Sequence, residues 1–357
     1  MPAYDAFLLV SFGGPEGPAE VIPFLQNVTR GRGIPPERLA SVAEHYYAFG
    51  GVSPINQQCR DMLAAVRADF SARGLSLPVY WGNRNWSPYL ADTVRAMADD
   101  GRRRAIAFVT SAYSSYSSCR QYLDDIERAR AAVGPDAPEI DKLRRFFNHP
   151  GFIEPFAANA EAALATLPAD VREDAHLVFT AHSIPDAMAD SSGPGGGRRY
   201  VTELTEAARL VAERTDGGTH PWTLAYQSRS GPPSAPWLEP DVRDHLGELA
   251  KSGTAAVVVI PSGFVSDHME VRHDLDVEAA ECAGSLGLAF ARAATPGTDP
   301  RFASMITDLV RERLDQPDSP QPDTPALGDL GVPSQACPAD CCRYVPAGRP
   351  GRAGGAA

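Results

Sequence analysis

The sequence predicts an α/β protein of two lobes, each a parallel sheet flanked by helices, with a cleft between them. Three observations carry that prediction. Short apolar runs rich in β-branched residues alternate with longer amphipathic segments, the pattern of a parallel sheet covered on both faces. The alternation runs through once and begins again after about residue 150. Polar and aromatic clusters at residues 12–14, 83–86 and 111–122 each follow a strand run, and ligands gather beyond the carboxyl ends of such strands.

Taken in order, Tyr4–Phe12 reads as a strand that breaks at Gly13-Gly14-Pro15, where backbone can approach a ligand closely. Helices are expected over Glu20–Asn27 and Glu37–Phe49. Between them Arg30 and Arg32 are either solvated loop residues or a pair able to grip an anion. Ser53, in Val52-Ser53-Pro54-Ile55-Asn56, is the expected N-cap of the next helix and thereby an anion site. Pro78–Asn83 and Ala105–Thr110 are strands, and Ser111–Ser118 leads into a helix through Arg120 and Tyr122. Asp141–Asn148 is a further strand or crossover, and Gly151 opens a long helix to Ala165.

The second series comprises strands His176–Thr180, Thr223–Gln227 and 255–260, with helices Arg199–Arg214 and Pro300–Leu314. The expected division is residues 1–150 for the first lobe, 151–315 for the second and 316–357 for a tail. Residues 316–336 are Pro-rich and expected to be extended or flexible.

Composition narrows the function. A net charge of −12 without a basic stripe excludes nucleic acid as the expected partner. No segment is apolar enough for a membrane span, and the N-terminus lacks a basic-then-apolar leader, so a cytoplasmic protein is expected. Without heptads or a large apolar face, it is expected to be a monomer. Cys59, Cys119 and Cys282 lie singly in predicted helices, as small buried thiols do. Cys337, Cys341 and Cys342 sit together in a Pro- and Gly-rich tail, where burial does not account for them.

The densest chemistry follows the strand at 255–260. There Glu270, Asp274 and Glu278 recur every four residues and would stack as a carboxylate ladder along one helical face. Arg272, the cation nearby, lies elsewhere on the wheel. The ladder is either a solvated acidic face near a helix N-terminus or a path for a divalent cation, which hard oxygen ligands suit. His182, immediately beyond the strand His176–Thr180, favours the second reading, because Glu270 lies at the corresponding end of another strand of the same lobe. A neutral imidazole can accept a proton or bind a metal.

Four longer motifs, GGVSPINQ (Gly50–Gln57), FTAHSIP (Phe179–Pro185), YQSRSGPPSAPWLEPDV (Tyr226–Val242) and GFVSDHMEV (Gly263–Val271), resemble signatures of the ferrochelatase family. With GNRNW and TSAYSS in the first lobe, they span about residues 4–315 in the family's order. The resemblance implies two Rossmann-like lobes and insertion of ferrous iron into a porphyrin. The compact form, without a membrane-binding insertion, and the Ala-, Arg- and Pro-rich composition resemble the actinobacterial branch that uses coproporphyrin III.

Carried over by position, the resemblance makes His182 and Glu270 the iron-site pair and Asp274 and Glu278 the outer metal path. It makes Ser53 and Tyr122 porphyrin contacts and places Arg30 and Tyr46 near the propionates. Three departures stand out. Phe12 replaces a tyrosine able to ligate iron in some relatives, and His45 an arginine that contacts propionate. Pro155 occupies the place of a cysteine that, with tail cysteines, holds a [2Fe–2S] cluster in others. Cys337, Cys341 and Cys342 are thus candidate cluster ligands that lack a fourth, with Cys119 or Cys59 available if the tail folds onto the first lobe. The alternatives are a protoporphyrin IX ferrochelatase, a chelatase for another divalent metal, or a two-lobed binding protein for tetrapyrroles or iron complexes.

Overall fold

In the computed structural model, which describes residues 4–31, 33–231, 235–315 and 324–344, the described residues form two parallel sheets of four strands each. The first comprises β1 (Ala6–Ser11), β2 (Val79–Asn83), β3 (Arg104–Val109) and β4 (Glu139–Lys142), in the order β2-β1-β3-β4. The second comprises β5 (His176–His182), β6 (Trp222–Gln227), β7 (Ala256–Ile260) and β8 (Ala289–Arg292), in the order β6-β5-β7-β8. Every pairing is parallel and each connection carries helix. β1 (AFLLVS) and β7 (AVVVI) are buried along their whole length, as strands covered on both faces must be.

The two sheets share one topology. Each starts in the middle, so the chain leaves β1 and β5 toward one side and later returns to the other. This switch opens a crevice at the carboxyl ends of the two central strands. Ser11 opposite Asn83, and His182 opposite Gln227, are the last rungs before the crevice.

Helices Ile55–Ala72, Pro150–Leu164 and Pro300–Asp315 pack together where the sheets meet. One apolar core runs from Phe7 and Leu9 in the first sheet to Phe179 and Ile260 in the second. Aromatic rings fill its centre, Phe108 stacking on Phe146 at 4.9 Å and Phe146 meeting Phe152 edge-on at 5.4 Å. Inside this apolar surround sits a buried carboxylate, Glu203, on the helix Arg199–Ala212. It accepts from the Ser114 N–H (2.7 Å) and Ser114 Oγ (2.9 Å) beyond β3, and from Arg145 (3.2 Å) and Arg199 (3.3 Å). Buried charge is tolerated only when hydrogen-bonded and paired in this way.

Several expectations are corrected. Ser53 is not a helix cap: the helix Ile55–Ala72 starts from Pro54 with no side-chain cap. Of the expected strand or crossover Asp141–Asn148, only Asp141 and Lys142 are strand, at the end of Glu139–Lys142; the chain then turns inward to bury Leu143, Phe146 and Phe147. β5 continues through His182 rather than ending before it. Residues 324–336 have no regular structure but are docked, because Asn148 exchanges hydrogen bonds with Leu327 (2.8 and 3.0 Å) and donates to the Gly331 carbonyl (2.9 Å). The rest of the Pro-rich stretch, 316–323, lies outside the described residues. Among the described residues no helix is long and apolar enough to cross a membrane.

The Glu203 network makes a direct prediction. Glu203→Ala leaves Arg145 and the Ser114 N–H buried without their acceptor, and is expected to lower unfolding stability by about 3–5 kcal/mol. Urea denaturation followed by circular dichroism measures it; a change below about 1 kcal/mol would show that the lobes do not depend on this carboxylate.

Candidate functional site

The first lobe supplies a wall at the carboxyl ends of its strands. Gly13, at φ +83°, turns the chain directly after β1, and a Cβ there would lie 2.8 Å from the Asn83 Cβ. Phe12, directly before the turn, keeps its ring 38% exposed. Phe12 meets Phe24 edge-on at 6.4 Å, and Phe24 also touches Tyr46 (6.0 Å) and Trp86 (5.9 Å). Ser53 is buried beneath Gly14. Tyr122 is buried with the Arg84 guanidinium 4.4 Å from its ring centre, and Arg84 pairs with Asp125. Arg30 is exposed just after the helix Pro18–Val28, whereas Arg32 lies outside the described residues.

The second lobe supplies a cluster of imidazoles and carboxylates. His182 Nδ1 contacts the Ser183 carbonyl, which can only accept, so Nδ1 carries the proton. Nε2 lies 3.7 Å from Glu270 Oε2, and in the neutral ring it keeps its lone pair. Both side chains remain open to solvent, at 33% for His182 and 52% for Glu270. His268 stands close to both, and burial pushes its pKa down, against the pull of Glu270 and Asp267 and with the help of His182. It therefore adds a further imidazole, kept neutral by burial, which the sequence reading passed over. Tyr46 faces Glu270 from the first lobe, and burial together with that carboxylate holds its phenol well above the ordinary range. The predicted residues that converge are thus His182, Glu270, Asp274, Glu278 and Tyr46; Ser53, Tyr122 and Arg30 belong to the first-lobe wall and its loops.

The ladder departs from the expected α-helix. A short α-turn, Met269–Val271, passes into a π-helix over Arg272–Ala279, whose bonds span five residues instead of four. Asp274 still feels both Glu270 and Glu278, and burial with these two charges pushes its pKa up to about 6, opposed by a hydrogen bond from Ser228. Ser228 reaches it from a left-handed conformation (φ 60°) just past β6. The π-geometry brings His273 against the same group: ligand atoms of His273, Asp274 and Glu278 lie within 4.8 Å of one another. The His273 ring stacks on His45 of the first lobe at 3.6 Å, nearly parallel at 5°. Burial, then His273, lowers the His45 pKa. The ladder also has a cation that the wheel did not show, since Arg243 Nη1 lies 3.3 Å from Glu278. Arg272 turns away to Asp276 and to the Phe49 ring.

The tail cysteines form a separate group. Arg145 Nη1 donates to Cys337 Sγ at 3.3 Å, and the Gly193 N–H to Cys342 Sγ at 3.1 Å. Cys341 and Cys342 sulfurs are 3.5 Å apart. A hydrogen bond from Cys119, with Arg145, lowers the Cys337 pKa to about 7 against its burial.

The family model for ferrochelatase matches residues 4–314. Proteins named coproporphyrin III ferrochelatase are similar over nearly the whole chain. That of Streptomyces coelicolor is 56% identical, covering 98% of this chain and 96% of its own length. That of Nocardia farcinica is 54% identical over 99% of each, and that of Mycolicibacterium smegmatis 58% identical over 87% and 90%. Among solved structures, SirB from Bacillus subtilis with Fe3+ matches at TM-score 0.53 and 12% identity, covering 87% of this chain and 95% of that one, which is a likeness of fold.

Asp274 gives this site a pH signature. Its folded pKa, about 6 against an ordinary 3.8, means that the folded chain holds the proton better than the unfolded chain. The benefit is present below the unfolded pKa and is lost as pH rises through the folded one. Asp274→Asn removes the repulsion and is expected to raise stability by about 1–2 kcal/mol, a few degrees in Tm, at about pH 8, and to change little at about pH 4. Thermal unfolding at the two pH values checks this; a variant less stable at both contradicts it.

Proposed function

The chain belongs to the ferrochelatase family, and from that premise we propose that it inserts ferrous iron into coproporphyrin III, yielding coproheme for heme synthesis, as a cytoplasmic monomer. The observation that carries the reading is His182: its Nδ1–H is tied to a backbone carbonyl, so its Nε2 faces Glu270 at the end of the central strand β5. We assign the metal site to the second lobe, about residues 151–315, with the porphyrin wall in the first, residues 1–150.

The reaction is redox-neutral. Fe²⁺ enters the macrocycle as two pyrrole N–H protons leave, so the net charge of the ring is unchanged. His182 Nε2 can take a leaving proton or hold the iron, and Glu270 supplies the complementary function. Glu278, Asp274 and Glu270 form the approach, where oxygen donors replace the water of the ion in steps, and His273 adds a nitrogen donor to it. Burial and the charges of Glu270 and Glu278 make Asp274 hold a proton more readily than a free carboxylate, and an arriving cation would displace any proton held there.

Across the cleft, the rings of Phe12, Phe24, Tyr46 and Trp86 suit the face of a flat macrocycle. Ser53 and Tyr122, being buried, form its floor. The exposed Arg30 suits a propionate, and local cations matter on a protein of net charge −12 that must admit a tetra-anionic ring.

A [2Fe–2S] cluster on Cys337, Cys341 and Cys342 forms a second part of the proposal. The donors fit it: thiolates suit iron–sulfur clusters, and both Arg145 and the Gly193 N–H donate to tail sulfurs as cluster surroundings do. Such a cluster would supply one-electron capacity, which the insertion step does not use.

An anaerobic insertion assay with Fe²⁺, offering coproporphyrin III and protoporphyrin IX separately, tests the proposal. Coproporphyrin III is expected to turn over at least ~10-fold faster, and His182→Ala to lose about 10²–10⁴-fold. Tight porphyrin binding without metallation by the wild type would instead make the protein a carrier.

A further inference from the structure

We infer that Cys119, from the first lobe, is the fourth ligand of the tail cluster, so that the [2Fe–2S] group is held between that lobe and residues 337–342. The inference rests on the cluster reading above and supplies what it lacks, since such clusters are ordinarily held by four cysteines and the tail offers three.

Cys119 lies in the short π-turn Tyr116–Arg120 that follows β3, and is buried at 4% exposure. What covers it is the tail. A single small pocket is lined by Cys119, Arg120 and Leu123 from the first lobe and by Cys337, Pro338, Cys341 and Cys342 from the tail. The tail is held in place independently of the sulfurs: Arg120 Nη1 donates to the Ala339 carbonyl at 2.6 Å, and the Tyr116 and Tyr344 rings meet at 6.2 Å. Cys342 takes a left-handed conformation (φ 55°), which turns the chain so that adjacent cysteines both remain at the pocket.

The sulfurs form a row. All four cysteines line the pocket, Cys119 acting electrostatically on Cys337 and Cys337 on Cys341, and Cys341 lies 3.5 Å from Cys342. Among the described residues, no three cysteine sulfurs lie within 4.8 Å of one another, the one such ligand group being His273, Asp274 and Glu278. A single tetrahedral zinc needs all four sulfurs about 3.8 Å apart, given Zn–S bonds of about 2.3 Å. A row fits a dinuclear group better, because each iron takes two thiolates. The other cysteines are placed elsewhere: Cys59 is fully buried in the helix Ile55–Ala72 beside Ser11, and Cys282 contacts the Arg243 carbonyl near the acidic ladder.

Charge supports the same site. Four thiolates around two ferric ions and two sulfides make a net anion, an unfavourable guest for a chain of net charge −12. Yet Lys142 and Arg145 both act on the Cys119 and Cys337 sulfurs, with Arg120 at the pocket edge. Assembly takes up two ferric ions and two sulfides and releases the four thiol protons to solvent, without change of oxidation state.

The test uses the full-length chain, reconstituted anaerobically with ferric iron and sulfide and then desalted. Acid-labile sulfide separates cluster iron from substrate iron at His182. The wild type and the control Cys59→Ala are expected to hold about two sulfides per chain, with visible charge-transfer absorption and a paramagnetic signal on one-electron reduction. Cys119→Ala is expected to fall below about a tenth of that sulfide while keeping the wild-type far-UV circular dichroism. Alkylation of the wild type before and after chelator treatment gives a readout that needs no variant: Cys119 should lose protection together with Cys337. Wild-type sulfide in a folded Cys119→Ala, or Cys119 alkylated while the cluster is intact, overturns this assignment and leaves the cluster reading standing. A wild type without sulfide, or one holding zinc alone, overturns both.

Discussion

A buried carboxylate fixes how the two lobes face each other. Glu203 belongs to the second lobe, yet two of its four hydrogen bonds come from Ser114, on the loop that leaves β3 in the first. In an apolar surround such a charge is costly unless every lone pair is satisfied, so the position of Ser114 is strongly specified. The consequences spread along the chain. Tyr113 beside it donates to the Ser262 carbonyl at 2.7 Å, pinning the loop after β7, and Cys119 follows within a turn. Arg145, which completes the network, also donates to Cys337. The facing of the two lobes and one contact to the tail, at Cys337, therefore share one set of polar contacts.

The proposed metal path runs against stability in the opposite sense. Three carboxylates in sequence, one of them pushed up to about 6 by burial and by its neighbours, are a poor way to build a helix for its own sake. Arg243 at one end and Ser228 in the middle hold this arrangement without cancelling it. Local conflict of this kind is expected where a site is preorganised for a ligand that the free protein lacks. The π-helix belongs to the same bargain, since its wider turn gives up regular bonding and brings His273 against Asp274 and Glu278.

Much of this was legible in the sequence because the governing patterns are local. Buried runs such as Val257-Val258-Val259-Ile260 announce strands, and the restart of the alternation announces a second sheet. His182 and Glu270 are readable because a strand end limits where the next residue can point, and family motifs surround both. What escaped depends on contacts between distant segments or on backbone departures that carry no residue signature. Nothing in Arg272–Ala279 signals five-residue bonding, so His273 fell off the expected face; its stacking on His45 joins residues more than two hundred positions apart. Ser53 has the chemistry of a cap, but the helix starts one residue later, from Pro54, so the Ser53 side chain caps nothing. The docking of residues 324–336 was not legible because a Pro-rich composition says how a chain behaves when free, whereas Asn148 supplies partners for its backbone.

The central claim, that His182 and Glu270 together form the metal position at the end of β5, is tested most directly by anomalous diffraction at the cobalt edge from crystals loaded with Co²⁺ in place of Fe²⁺. The account predicts a peak between His182 Nε2 and the Glu270 carboxylate, with a weaker one at His273, Asp274 and Glu278 as the ladder fills. A peak at the ladder alone, with none beside His182 at saturating Co²⁺, would contradict it and return His182 to a structural role.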